Sequence, residues 1–233
     1  MRLDHYLSQA TGLSRKEAQK LIRAARINVN GKRIVKPAIH IDPALEITLD
    51  NAVIQLPGKL YIMLHKPAGY LSATEDAHQP IVMDLIDHPH VSTLHIVGRL
   101  DKDTTGLLLL SNDGDWSHRI STPRHQVDKV YLADLAEPLS AEAAQQLQQG
   151  VLLHGEKQAV KAVRLEILAK QQVRVGIREG KYHQIKRMFA AVGNHVNALH
   201  RESIGHLHLD PAIEVGEWRE LSVQEVEQAF GVS

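Results

Sequence analysis

The segment from Gly98 to Gly114 reads GRLDKDTTGLLLLSNDG, setting Arg99, Asp101, Lys102 and Asp103 before turn residues and a run of four leucines. An acid at the mouth of an apolar strand can serve as nucleophile, metal ligand, half of a hydrolytic carboxylate pair, or salt-bridge partner of Arg99. The order Asp101-x-Asp103-x-Thr105-Gly106 copies the opening of an EF-hand loop. Its twelfth position, however, is Asn112 where a bidentate glutamate is needed, and the leucines before it cannot wrap a hard cation. A magnesium site would draw on Asp101, Asp103, Asp113 and Asp115. Against it, Asp113-Gly114 reads as a turn and Asp115 as the first-turn acid of a helix from Trp116 to Ile120. Two acids two residues apart in one loop do not flank a bond from opposite sides, as a two-carboxylate hydrolase requires. By residue type Asp103 is a turn former, while Asp101 stays divided between a structural and a reactive role. His88-x-His90 and His206-x-His208 lack a third ligand and read as surface or packing residues.

These residues need elements to hold them. Apolar runs predict strands at Tyr61 to Leu64, Leu107 to Leu110, Val130 to Leu135, Val160 to Leu168 and Val173 to Ile177. Helices are expected from Ala141 to Gln149, after the cap Ser140, from His183 to Val192, and after the capping box Ser222 to Glu225. Strands outnumber helices and follow one another directly, which predicts an α+β body with a largely antiparallel mixed sheet. The 233 residues include no cysteine, which removes disulfides, thiolate nucleophiles and zinc-cysteine sites. Arg2, Asp4, His5, Arg15 and Lys16 leave no apolar core for a signal peptide, and no run is long enough to span a membrane. A soluble, cytoplasmic protein is expected.

The formal net charge is zero, but residues 1 to 58 carry nine Lys/Arg against five Asp/Glu. Ser14 and Glu17 form a capping box, and Ala18, Leu21, Ile22 and Ala25 follow as a core-facing stripe. Lys16, Lys20 and Arg23 share another face, with Arg15 and Arg26 at its ends. Only Glu17 is interleaved, so phosphate backbone would relieve their repulsion. Ile27 to Lys32 then alternates into an Asn-Gly hairpin turn. On these features residues 2 to 41, RLDHYLSQATGLSRKEAQKLIRAARINVNGKRIVKPAIHI, resemble an S4 RNA-binding domain. The break at Leu56-Pro57-Gly58 predicts a head of residues 1–58 and a body of residues 59–233.

The body also carries a resemblance. GRLDKDTTGLLLLSNDG is similar to the signature of the pseudouridine synthases, in the branch that modifies ribosomal RNA with an N-terminal S4 domain. The Lys-Pro-x-Gly-Tyr loop at Lys66 to Tyr70, Lys-x-Tyr at Lys129 to Tyr131, and GKYHQIKRMFAAVGNHV from Gly180 match in order. The turn at Ser121 to His125 and the block His200 to Gly205 look most like the small-subunit members. His65 departs from the pattern, which commonly has asparagine there.

The resemblance implies that Asp101 is the catalytic carboxylate, Lys186 its cationic partner where relatives often carry arginine, and Tyr131 a ring that stacks on uracil and serves proton transfer. Arg99, Lys66, Tyr70, Lys129, His183 and Gln184 are then expected to hold the substrate, with Arg2, Arg15, Lys16, Lys20, Arg23 and Arg26 on the RNA. The implied partner is 16S ribosomal RNA or a small-subunit assembly intermediate, with uridine 516 as target, for a monomer using no cofactor or metal. A large-subunit 23S enzyme and a non-catalytic S4-type assembly protein stay open as alternatives. Isomerising uridine to its carbon-linked form loses no group and no electrons, so it needs a nucleophile and a dry pocket.

Overall fold

The computed structural model describes residues 1–230, and the chain divides into two units, Met1–Leu60 with Ile86–Leu94 and Tyr61–Leu85 with His95–Ser233. In the first, α1 (Leu3–Thr11) and α2 (Arg15–Arg23) are followed by β1 (Ile27–Val29), β2 (Lys32–Ile34), β3 (Ile47–Leu49) and β4 (Ala52–Ile54). The strands form an antiparallel sheet in the order β2-β1-β3-β4. Leu3, Tyr6, Leu7, Ala18, Ile22, Ile27, Ile41 and Ile47 make its core. The Ser14–Glu17 capping box is present, and the β1–β2 turn takes left-handed φ values of 48° at Asn30 and 73° at Gly31, as an Asn-Gly hairpin requires. Ala25 does not extend the apolar stripe: α2 ends at Arg23, and Ala25 itself turns left-handed with φ 60°.

The second unit contains β5 (Tyr61–Lys66), β6 (His95–Val97), β7 (Thr105–Ser111), α3 (Gly114–Ser121), β8 (Lys129–Leu135), α4 (Ala141–Gln149), β9 (Arg164–Ala169) and β10 (Gln172–Ile177). Then come α5 (Gln184–Ala191), β11 (Val196–Ile204), β12 (Leu207–His208), β13 (Trp218–Glu220) and α6 (Val223–Gln228). The main sheet runs β13-β5-β7-β11-β8-β10-β9, with β12 on β11 and β6 on β7. All pairings are antiparallel except β7 with β11. The expected α+β body with its mostly antiparallel mixed sheet is therefore present.

β7 lies inside this sheet, and Leu107, Leu108, Leu109 and Leu110 are all fully buried on it. That explains an apolar run with no alternation, since both faces of a central strand are covered. The strand expected from Val160 begins only at Arg164, because Val160 makes an isolated bridge to Val151. Among the described residues no helix is long and apolar enough to cross a membrane.

Candidate active site

The loop from Gly98 to Thr104 enters β7, and two buried cations fix its backbone. Lys66, fully buried at the end of β5, donates from Nζ to the carbonyls of Pro67 (3.0 Å), Asp101 (3.1 Å), Lys102 (3.2 Å) and Thr104 (2.8 Å). Arg201 on β11, 1% exposed, donates from Nε to Leu107 O (2.8 Å) and from Nη2 to Gly98 O (2.9 Å). Gly69 N, in the Lys-Pro-x-Gly-Tyr turn, adds a bond to Lys102 O at 2.8 Å. The loop's carbonyls are thus taken up inside while the Asp101 side chain is left to face outward. Close approach at the strand entrance needs Gly106, whose φ is +101° and whose missing Cβ would stand 2.4 Å from Arg201 O.

Asp101 borders a cleft shared with Arg99, Thr104, Tyr131, Lys181, His183, Gln184 and Lys186. Its Oδ2 lies 3.4 Å from Lys186 Nζ and its Oδ1 3.6 Å from His183 Nε2. Both partners come from the start of α5: His183 is the N-cap residue, left-handed at φ 46°, and Lys186 occupies the first turn. Tyr131, on β8, is 6% exposed, and its hydroxyl accepts a 3.4 Å bond from Arg201 Nη1. Asp101, Lys186 and Tyr131 are therefore brought to one cleft, as the resemblance implies.

Other expected contacts are placed differently. Lys66 and Lys129 are interior groups rather than RNA contacts; Lys129 Nζ donates to Val127 O at 3.2 Å and Arg178 O at 3.3 Å. Burial pushes both ammonium groups down to about 8. Gln184 is 3% exposed and bonds Glu179 Oε1 at 2.6 Å, so its amide orders the turn before α5. Arg99 is exposed at the cleft, whereas Tyr70 is half-buried and outside the cleft lining. His65 bonds Ile213 O through Nδ1 at 3.0 Å and borders a separate cavity with His200.

The magnesium alternative fails on geometry. Asp113 caps α3 through the backbone N–H groups of Asp115 and Trp116 and accepts a 2.7 Å bond from Tyr61, while Asp101 and Asp103 share a lysine. Among the described residues no group of three or more His, Asp or Glu side chains is arranged to hold a metal ion.

In the first unit the cations are less crowded than the sequence implies. Arg2 and Arg15 both pair with Asp4, at 2.7 and 3.2 Å, and Arg26 with Asp50. Asp4 is fully buried; burial opposes its charge, but bonds from Arg2, Gln19 and Arg15 outweigh that and hold its carboxyl well below the usual range. Lys16, Lys20 and Arg23 remain exposed on α2, free to meet phosphate.

Three residues escaped the sequence reading. Arg201 was hidden because a fully buried arginine with carbonyl partners has no sequence signature. Tyr182, 76% exposed and stacked on His183 at 3.8 Å, falls inside the motif from Gly180, which assigns it no role. Asp103, a turn former by residue type, stands 2.6 Å from Lys186 Nζ.

A fold with an S4-like head and a carboxylate, lysine and tyrosine converging at the mouth of its central strand defines a class, and comparison with known proteins gives the same class. The family model described as RNA pseudouridylate synthase matches residues 60–191, and the S4 domain model residues 1–47. The chain belongs to the RNA pseudouridylate synthase family and is an isomerase.

Two relatives show how far the likeness extends. The chain is 46% identical over 227 residues to "Ribosomal small subunit pseudouridine synthase A" of Escherichia coli (strain K12), covering 97% of this chain and 98% of that protein. Its likeness to the Yersinia pestis protein of the same name is also 46% over 227 residues, covering 97% of each. A solved pseudouridylate synthase, 41% identical, superposes with a TM-score of 0.72 over 98% of this chain and 99% of that one.

Proposed function

We propose that this enzyme converts one uridine of small-subunit 16S ribosomal RNA, uridine 516, into pseudouridine, acting on the RNA or on a small-subunit assembly intermediate. Asp101 is the nucleophile, on either ribose or uracil. The C1′–N1 bond breaks, the uracil turns, and C1′ bonds to C5; C5 then loses its proton while N1 gains one, so the product is an isomer of the substrate. Lys186 stabilises the ionised Asp101, and the first turn of α5 adds its positive dipole end. Tyr131 stacks on the extruded base and serves in removing the C5 proton. Arg99, at the cleft, faces the nucleotide's phosphate. The observation that carries this reading is the shared cleft of Asp101, Lys186 and Tyr131.

The interior charge supports the chemistry. Lys66, Lys129 and Arg201 are buried, and their bonds go to neutral carbonyls or, from Arg201, to the Tyr131 hydroxyl. Their positive field behind the cleft favours a carboxylate and an approaching phosphate alike. The test is to incubate the protein and its Asp101→Asn variant with 16S transcript and with immature small subunits, then map pseudouridine chemically. Modification at uridine 516 by the native chain alone is expected. Modification only in 23S RNA would overturn the target, and an active Asp101→Asn variant would overturn the nucleophile.

A further inference from the structure

Lys186 is not seated squarely on Asp101. Its ammonium lies 2.6 Å from Asp103 Oδ1 and 3.4 Å from Asp101 Oδ2, so the short bond goes to the carboxylate outside the proposed chemistry. Asp103 is 73% exposed, against 26% for Asp101, and exposed acids ordinarily gain little by ordering a lysine. We propose that Asp103 is a positioning residue for the reaction, anchoring the Lys186 ammonium so that it stands beside Asp101 without clasping it. This rests on the reading of Asp101 as nucleophile.

Two physical arguments converge. A lysine is a compact charge on a flexible four-carbon stem, and one long contact at 3.4 Å does not fix its position. A second carboxylate two residues away, on the same turn, supplies the missing anchor. That turn is stiff, since the carbonyls of residues 101, 102 and 104 are all bonded to Lys66. Second, a carboxylate engaged at 2.6 Å by its counter-ion commits a lone pair and part of its charge to that bond and is a weaker nucleophile. By taking the short bond, Asp103 leaves Asp101 charged, compensated and free to attack. The bond to Lys186 also holds the Asp103 carboxyl below the ordinary carboxylate range.

The consequence is a dependence on the kind of cation. An arginine at 186 carries a rigid planar group with delocalised charge, so it keeps its place beside Asp101 without a second anchor. Asp103→Asn, Lys186→Arg and the double variant therefore form a cycle, measured as single-turnover rate and KM on the same 16S substrate, with thermal melting as a check on folding. Asp103→Asn should lower the rate about tenfold in the Lys186 enzyme, with KM unchanged or lower because a negative charge near the RNA is gone. In the Lys186→Arg background the same change should cost less than about twofold. An unchanged rate in the Lys186 enzyme, or an equal loss in both backgrounds, overturns the proposal. Failure of the underlying reading shows separately, as activity surviving Asp101→Asn.

Discussion

Replacing Lys66 by methionine tests whether a buried ammonium holds the catalytic loop. The substitution keeps most of the side-chain volume and deletes four hydrogen bonds, to Pro67, Asp101, Lys102 and Thr104. The ammonium shares three N–H groups among these four carbonyls, so about three charged bonds are lost at about 1.5 kcal/mol each, roughly 4 kcal/mol in total. Against that, burial has lowered the Lys66 ammonium from 10.5 to about 8, a penalty of roughly 3 kcal/mol that methionine does not carry. The terms nearly cancel, leaving a net loss of about 1 kcal/mol that does not unfold a domain. The rate is not protected by this cancellation, because a 1 Å drift of Asp101 costs about a hundredfold. A second signature follows from linkage. Between pH 8 and 10.5 the unfolded chain binds more protons than the folded one, so the penalty is present below 8 and relieved as pH rises, and stability climbs with pH. Lys129 is shifted to the same value, so Lys66→Met should halve that slope. Chemical denaturation from pH 7 to 10, beside single-turnover rates at pH 7, checks both. A variant turning over at the native rate, or one whose lost rate merely tracks lost folded protein, would refute the loop-holding role.

Gly106→Ala should cost more than about 3 kcal/mol, since it combines φ +101° with a Cβ 2.4 Å from Arg201 O; melting should show it beside Gly58→Ala, which meets nothing within 4 Å. In the S4-like unit, the triple change Lys16→Ala, Lys20→Ala and Arg23→Ala should weaken RNA binding and reduce the slope of log affinity against log salt by about 2. Arg15→Ala and Arg26→Ala should move it less, as those side chains already serve Asp4 and Asp50.

Elements with their own punctuation are legible in the sequence alone. The helix from Ala141 to Gln149 has serine before it and glycine after, and its bounds agree to the residue. The β3–β4 hairpin was not anticipated, because its turn residues Asp50 and Asn51 adopt φ 49° and 69° without the glycine that normally announces such a turn. β11 escaped for another reason: His200, Arg201 and Glu202 interrupt its apolar pattern, and tertiary contacts, not alternation, bury the arginine.

The site divides along the same line. Asp101, Lys186 and Tyr131 are reached through motif resemblance, because the proposed chemistry falls on their side chains and constrains their types. Lys66 and Arg201 bond mainly to backbone carbonyls, and since every residue carries a carbonyl, sequence cannot name which ones a buried cation will find. Charge inside is costly, so the sheet keeps these two where they hold both ends of one loop. That arrangement answers why an acid stands at the mouth of so apolar a strand. β7 is a central strand covered on both faces and gives a rigid base; Lys66 and Arg201 fix the loop on that base by its main chain alone. The aspartate side chain, bonded to none of this scaffold, is left at the cleft, where the proposed reaction needs it.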